Sequence, residues 1–147
     1  MSDAYNVAKE RLATGQLAWD DSGKDFTVVA LADTYTFDPD HDDLADVNTH
    51  ELTGTGTRAP VENRTVAKNL TDDRAELDAD DSTLPEIDTS EDIAFLVVAE
   101  DGVDDASSPL VAFLSAVEGD NEASFDLATN GADVLVAFPS GRVARIE

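Results

Sequence analysis

Ile93-Ala94-Phe95-Leu96-Val97-Val98-Ala99 is the longest unbroken apolar run in the chain, bounded by Asp92 on one side and Glu100-Asp101-Gly102 on the other. A second, mostly apolar run, Leu110 to Val117, follows a polar loop and Pro109. Both are strand-sized and far short of the roughly 20 residues a membrane helix needs. Val, Ile and Phe suit a pleated surface, and Gly and Pro punctuate strands rather than helix interiors. The two runs read as adjacent central strands, buried on both faces.

Working outward, Phe26 to Leu31 reads as a third buried strand, with room to extend to Phe37 before Asp38-Pro39-Asp40-His41-Asp42-Asp43 ends it. Asp42 to Val47 suits one helical turn, and His50 to Thr55 a strand. Val61 to Leu70 and Arg74 to Ala79 flank a Thr71-Asp72-Asp73 turn and form a hairpin, with Ala75, Leu77 and Ala79 on one face. Residues 80–90 read as loop. Glu122 to Leu127 alternates with Ala123, Phe125 and Leu127 inward. Val134, Val136 and Phe138 mark another strand, turned by Pro139-Ser140-Gly141 into Arg142 to Ile146. At the start, Ser2 is placed to cap a helix over Asp3 to Thr14 with Asp3 at its positive end, stopped by Gly15. The expected fold is mainly β, an antiparallel β-sandwich of jelly-roll-like form with a short N-terminal helix. Residues 1–16 would dock on the body or on a neighbouring subunit, and 17–147 would form a single sandwich domain.

Charge is the strongest compositional signal. There are 33 Asp and Glu against 9 Lys and Arg, a formal net charge of −24. Acidic residues run from Asp3 to Glu147 without forming one tail, and 41% of residues are apolar, so this is not a disordered acidic segment. At about 1 M salt the Debye length falls to about 3 Å, which screens carboxylate repulsion. Dispersed Asp and scarce lysine (Lys9, Lys24 and Lys68) fit a protein adapted to such salt. The same charge argues against a basic surface for nucleic acid. Cysteine is absent, so disulfides and thiol chemistry do not enter. The first residues show no basic region followed by an apolar core, so no signal peptide is expected.

Chemistry-bearing patterns are few. Asp38, Asp40 and Asp42 have the alternate-carboxylate spacing of a calcium loop, but its sixth and twelfth positions are Asp43 and Thr49 instead of Gly and Glu. A calcium, magnesium, sodium or potassium ion there competes with a plain solvated loop. Gly54-Thr55-Gly56-Thr57 lacks the Lys-Ser/Thr of a phosphate loop and reads as a tight turn or bulge. His41 and His50 lack the spacing of a zinc set and read as exposed loop residues. Asn63-Arg64-Thr65 and Asn69-Leu70-Thr71 match the glycosylation sequon. No nucleophile elbow is present, and carboxylate pairs carry no weight in so acidic a chain. An enzyme is not expected.

Several stretches resemble a group of small structural proteins encoded by tailed viruses and described as head-decoration, minor capsid or fibre-like proteins. They are Ala4-Tyr5-Asn6-Val7-Ala8-Lys9, Gly15, Trp19-Asp20, Phe26 to Leu31 with Tyr35, and Asp38 to Asp43. Glu51-Leu52-Thr53-Gly54-Thr55-Gly56, Ala75 to Asp81 and Ser107-Ser108-Pro109-Leu110-Val111-Ala112 complete the set. The family often continues the glycine stretch with an aromatic, where this chain has Thr57. The resemblance implies a virion protein of a haloarchaeal tailed virus, assembled in the host cytoplasm and placed on the capsid exterior as a decoration, cement or turret subunit. It implies a homo-trimer or homo-pentamer bridging copies of the major capsid protein, with neither nucleic acid nor membrane as partner. Tyr5, Val7, Ala8, Leu12 and Trp19 are the expected interface residues, and the Asp-rich loops at 38–43, 78–81 and 101–105 the outward face. A tail or fibre component, and an acidic intracellular decoy that mimics nucleic acid, are the alternatives.

Overall fold

The computed structural model describes residues 2–72, 74–116, 122–138 and 143–146. Its centre is β9 (Phe95–Glu100), which pairs antiparallel with β10 (Leu110–Leu114) on one side and β2 (Phe26–Leu31) on the other. The sheet is completed by β1 (Ser2–Ala4) beside β10 and β4 (Arg58–Pro60) beside β2, in the order β1-β10-β9-β2-β4. The two runs that dominate the sequence are therefore adjacent strands, as expected.

Both faces of this sheet are buried, and side chains alternate between two cores. Phe26, Val28, Ala30, Leu96, Val98, Ala112 and Leu114 enter one core; Val29, Leu31, Phe95, Val97, Ala99 and Phe113 enter the other. The first core is closed by smaller antiparallel sheets. One is the hairpin β5 (Thr65–Asn69) and β6 (Arg74–Asp78) with β12 (Ala144–Ile146) on β6. Another pairs β7 (Ser82–Leu84) with β11 (Val134–Val136). They contribute Leu77, Ala144, Leu84 and Val136. A two-residue pairing joins β3 (Gly54–Thr55) to β8 (Asp88–Thr89). The second core is roofed by residues 32–50, which insert Tyr35, Leu44 and Val47 and pack Phe37 alongside. The fold is mainly β with antiparallel sheets and one short helix near the N-terminus. The described pairings do not show a jelly-roll order.

The hairpin, the strand at 134–136 and the stop at Gly15 (φ +71) match expectation. Gln16 N and Leu17 N both donate to Arg11 O beyond the helix end. Several expectations are corrected. Ser2 caps no helix: residues 2–4 pair with β10, and α1 spans Asn6–Ala13 with Tyr5 at its cap. Sheet pairing beside a buried strand outweighs the local helical preference. The chain also leaves the sheet at Leu31, where Tyr35 N donates to Ala32 O in a turn. His50 closes a 3-10 turn, so the expected 50–55 strand is reduced to a single bridge of Glu51 to Leu31 and the two-residue strand Gly54–Thr55. Residues 80–90 contain β7 and β8 rather than loop alone. Residues 122–127 form no strand: Asp126 adopts φ +47, which breaks the alternation, and only Leu127 bridges to Ile93. The Pro139-Ser140-Gly141 turn lies outside the described residues.

Candidate functional site

The structure puts scarce cations to internal use. Arg11 and Lys24 both reach Glu100 at 2.9 Å. Burial pushes the Glu100 carboxyl up, but these two cations outweigh it and hold it below the usual range. Arg58 bridges Glu51 (2.6 Å) and Asp105 (3.0 Å), and its hydrogen bond lowers the Asp105 pKa. Arg64 donates to four backbone carbonyls, those of Trp19, Val61, Asp21 and Lys24, and its guanidinium lies 4.6 Å from the Phe26 ring centre. It ties the 19–24 turn to β4 and β5 from inside a sequon-like tripeptide whose motif gave no hint of that role. By contrast, Lys68 on β5 is exposed and makes no ion pair among the described residues.

The expected cation site does not assemble. Asp38 Oδ1 accepts from Asp40 N (3.0 Å), Asp40 Oδ1 accepts from Asn6 Nδ2 (2.6 Å), and Asp42 N donates to Asp46 Oδ2 (2.8 Å). These groups shape a turn. Among the described residues, no group of three or more His, Asp or Glu side chains could hold a metal ion. Asp38, Asp40 and Asp42 are exposed. The histidines are not exposed loop residues. Both are half-buried against Tyr35, with His41 Nδ1 3.1 Å from the Tyr35 hydroxyl and the ring centres of Tyr35 and His50 5.5 Å apart. The Tyr35 hydroxyl also meets that of Tyr5 at 2.9 Å inside the second core.

The expected interface is corrected as well. Tyr5, Ala8 and Trp19 are sealed inside the chain's own cores and have no surface to offer a partner. Trp19 stacks edge-on against Phe26 and donates Nε1–H to Asp78 O at 2.8 Å. Val7 and Leu12 are only partly buried and pack against those same cores.

The exposed apolar surface lies elsewhere. An apolar cleft of about 290 Å³ opens where β9 begins and β10 ends, between them and β7 and β11. Buried Leu84, Ile93, Leu96, Leu114 and Val136 line it. Phe125, Leu127 and Leu135 also line it while remaining 39%, 43% and 63% exposed. Segment 122–127 is held there by Phe125 N to Ala94 O (2.8 Å) and the reciprocal Ile93–Leu127 pair. The positive φ of Asp126 leaves Phe125 and Leu127 half in water instead of inward. Sequence reading missed this cleft, although one signal was present. Val134-Leu135-Val136 is apolar at every position on a strand outside the central sheet, so its second face needs a cover.

No family model, curated protein or solved structure matches the chain.

Proposed function

We propose that this chain is a structural subunit of a tailed virus particle from a high-salt environment, carried on the capsid exterior as a decoration, cement or turret protein. It acts by docking. The observation that carries the proposal is the cleft rimmed by Phe125, Leu127 and Leu135 on a chain of net charge −24. Contiguous exposed apolar surface marks an interaction site, and in so acidic a protein it serves a macromolecular contact. A double-faced β core with loops tied down by Arg58 and Arg64 provides a rigid body, which suits repeated, multivalent attachment to a shell.

The test is rebinding. Particles of the encoding virus, stripped of this protein, are mixed with the purified chain in molar salt. Saturable rebinding at a fixed ratio to the major shell protein is expected. Absence of rebinding above that of an unrelated acidic protein overturns the proposal.

A further inference from the structure

We propose that His41 is an acid-sensitive latch on the roof at residues 32–50: its neutral Nδ1 accepts the last hydrogen of a Tyr5–Tyr35–His41 chain, and its protonation leaves a hydroxyl hydrogen without an acceptor inside the second core. The latch uses neither the cleft nor its rim and stands apart from the docking role above.

The first argument is placement. The chain has two tyrosines and two histidines, and all four meet at one point. The Tyr5 and Tyr35 hydroxyls lie 2.9 Å apart, and the Tyr35 hydroxyl lies 3.1 Å from His41 Nδ1. Both tyrosines are closed to water, at 0% and 3% exposure. Tyr5 sits at the entry to α1 and Tyr35 in the roof, so these contacts tie the roof to the helix.

The second argument is a count of hydrogens. The three groups make two contacts, and each contact holds one hydrogen. With a neutral His41 protonated on Nε2, the two hydroxyls supply two hydrogens: Tyr5 donates to Tyr35, and Tyr35 donates to Nδ1. Every hydrogen is used. A hydrogen on Nδ1 makes three for two contacts, so one hydroxyl hydrogen is left over in the core, where an unmet donor is costly. If the imidazolium turns its Nδ1–H out to water, Tyr35 loses its acceptor instead, with the same result. His50 differs. Its Nδ1 meets Thr34 Oγ1 at 3.0 Å, and Thr34 is exposed, so that hydroxyl turns to water without loss.

Charge works against the count. The carboxylates bearing on these groups are Asp38, near the two tyrosines, and Asp46, near Tyr35 and His41, both exposed roof residues. From β10 the neighbour is Phe113, which carries no charge. Asp46 favours the imidazolium, but its Oδ2 already accepts from Asp42 N at 2.8 Å. Molar salt, with a Debye length of about 3 Å, screens an exposed carboxylate far more than a buried hydrogen bond. The count therefore prevails. Asp43, in the same roof, acts with the opposite sign: burial raises its pKa, so its protonation favours the fold. Backbone bonds such as Leu44 N to Ser108 O and Leu110 N to Asp42 O fasten the roof to the body. Its release bares Phe37, which stacks on Phe113 with ring centres 4.7 Å apart.

The experiment uses the full chain in molar salt and follows amide hydrogen exchange in the roof, corrected for the intrinsic rate, from about pH 8 to pH 5, the span in which histidine changes charge. Wild-type roof protection is expected to fall by about tenfold relative to that of β9, the effect of one lost buried hydrogen bond. His41→Asn keeps an acceptor oxygen near the place of Nδ1 and does not titrate, so it is expected to abolish the fall. The Asp43 titration is common to both chains and drops out of the comparison. His50→Asn is expected to respond like wild type. Imidazole nitrogen chemical shifts of wild type at about pH 8 are expected to place the His41 proton on Nε2, a readout that needs no variant to fold. Roof protection that does not fall in wild type, a fall that survives in His41→Asn, a fall lost in His50→Asn, or a His41 proton found on Nδ1 in the neutral ring overturns the proposal.

Discussion

Replacing Arg64 with Ala tests the claim that the rare cations act as internal clamps. Three of its four carbonyl bonds, to Trp19, Val61 and Lys24, are partly buried, at 2.8, 2.8 and 2.5 Å; the fourth, to Asp21, is exposed. A hydrogen bond from a charged donor contributes about 1.5–3 kcal/mol, so three at the low end contribute roughly 4.5 kcal/mol. The contact with Phe26 adds up to about 1 kcal/mol. Water entering the vacated space re-satisfies part of the carbonyls and returns about 1–2 kcal/mol. The expected net loss is about 3–4 kcal/mol, a large part of the roughly 5–15 kcal/mol typical of a domain. The melting temperature should fall by roughly 12–16 °C, at about 4 °C per kcal/mol for this size. Arg64→Lys keeps the charge but not the planar fork, and should recover less than half of the loss. Urea unfolding at fixed high salt measures both. A loss below about 1 kcal/mol for the Ala variant, or a Lys variant matching wild type, refutes the clamp.

The pH profile should pass through a maximum in mild acid. Burial raises the Asp43 and Asp101 carboxyl pKa values, with Asp25 adding to the Asp101 shift, so stability grows as pH falls through their folded values. The Glu100 and Asp105 values are lowered, so their contribution is present above the ordinary carboxylate range of about 4 and is lost as pH falls through their folded values. Glu100→Gln should flatten that acid limb in melting curves taken across pH; an unchanged limb counts against the Arg11–Glu100–Lys24 cluster. Gly56→Ala places a Cβ against the carbonyl oxygen of Pro85 at φ +71 and should cost about 3 kcal/mol, measurable by urea unfolding; a neutral result contradicts the β3–β8 geometry. Lowering salt from about 3 M to 0.1 M, where the Debye length reaches about 10 Å, should depress the melting temperature, and identical curves would sink the high-salt reading.

The central strands were legible because Ile93 to Ala99 and Leu110 to Leu114 are apolar at consecutive positions, and only a strand covered on both faces needs that. The hairpin at 65–78 showed itself by alternation. What covers the second face was not legible. Residues 32–50 mix Tyr35, Phe37, Leu44 and Val47 with aspartates at no fixed period, so their roofing role depends on contacts distant in sequence. Tyr5, Ala8 and Trp19 looked available for an interface because a short stripe of apolar residues reads the same whether its cover is its own chain or a neighbour. The cleft escaped notice for a related reason: Phe125 and Leu127 alternate like inward residues, and the left-handed backbone at Asp126 that turns them aside leaves no mark in the pattern. Arg64 was hidden because side-chain-to-carbonyl bonding has no sequence signature.

The most direct test of the account is the copy number of this protein in purified particles of the encoding virus, by quantitative mass spectrometry against the major shell protein. The account predicts on the order of tens to hundreds of copies, in fixed ratio to the shell protein, as repetition of one contact over a symmetric capsid requires. A handful of copies would place the chain in the tail or a fibre instead, and its absence from particles would contradict the structural role outright.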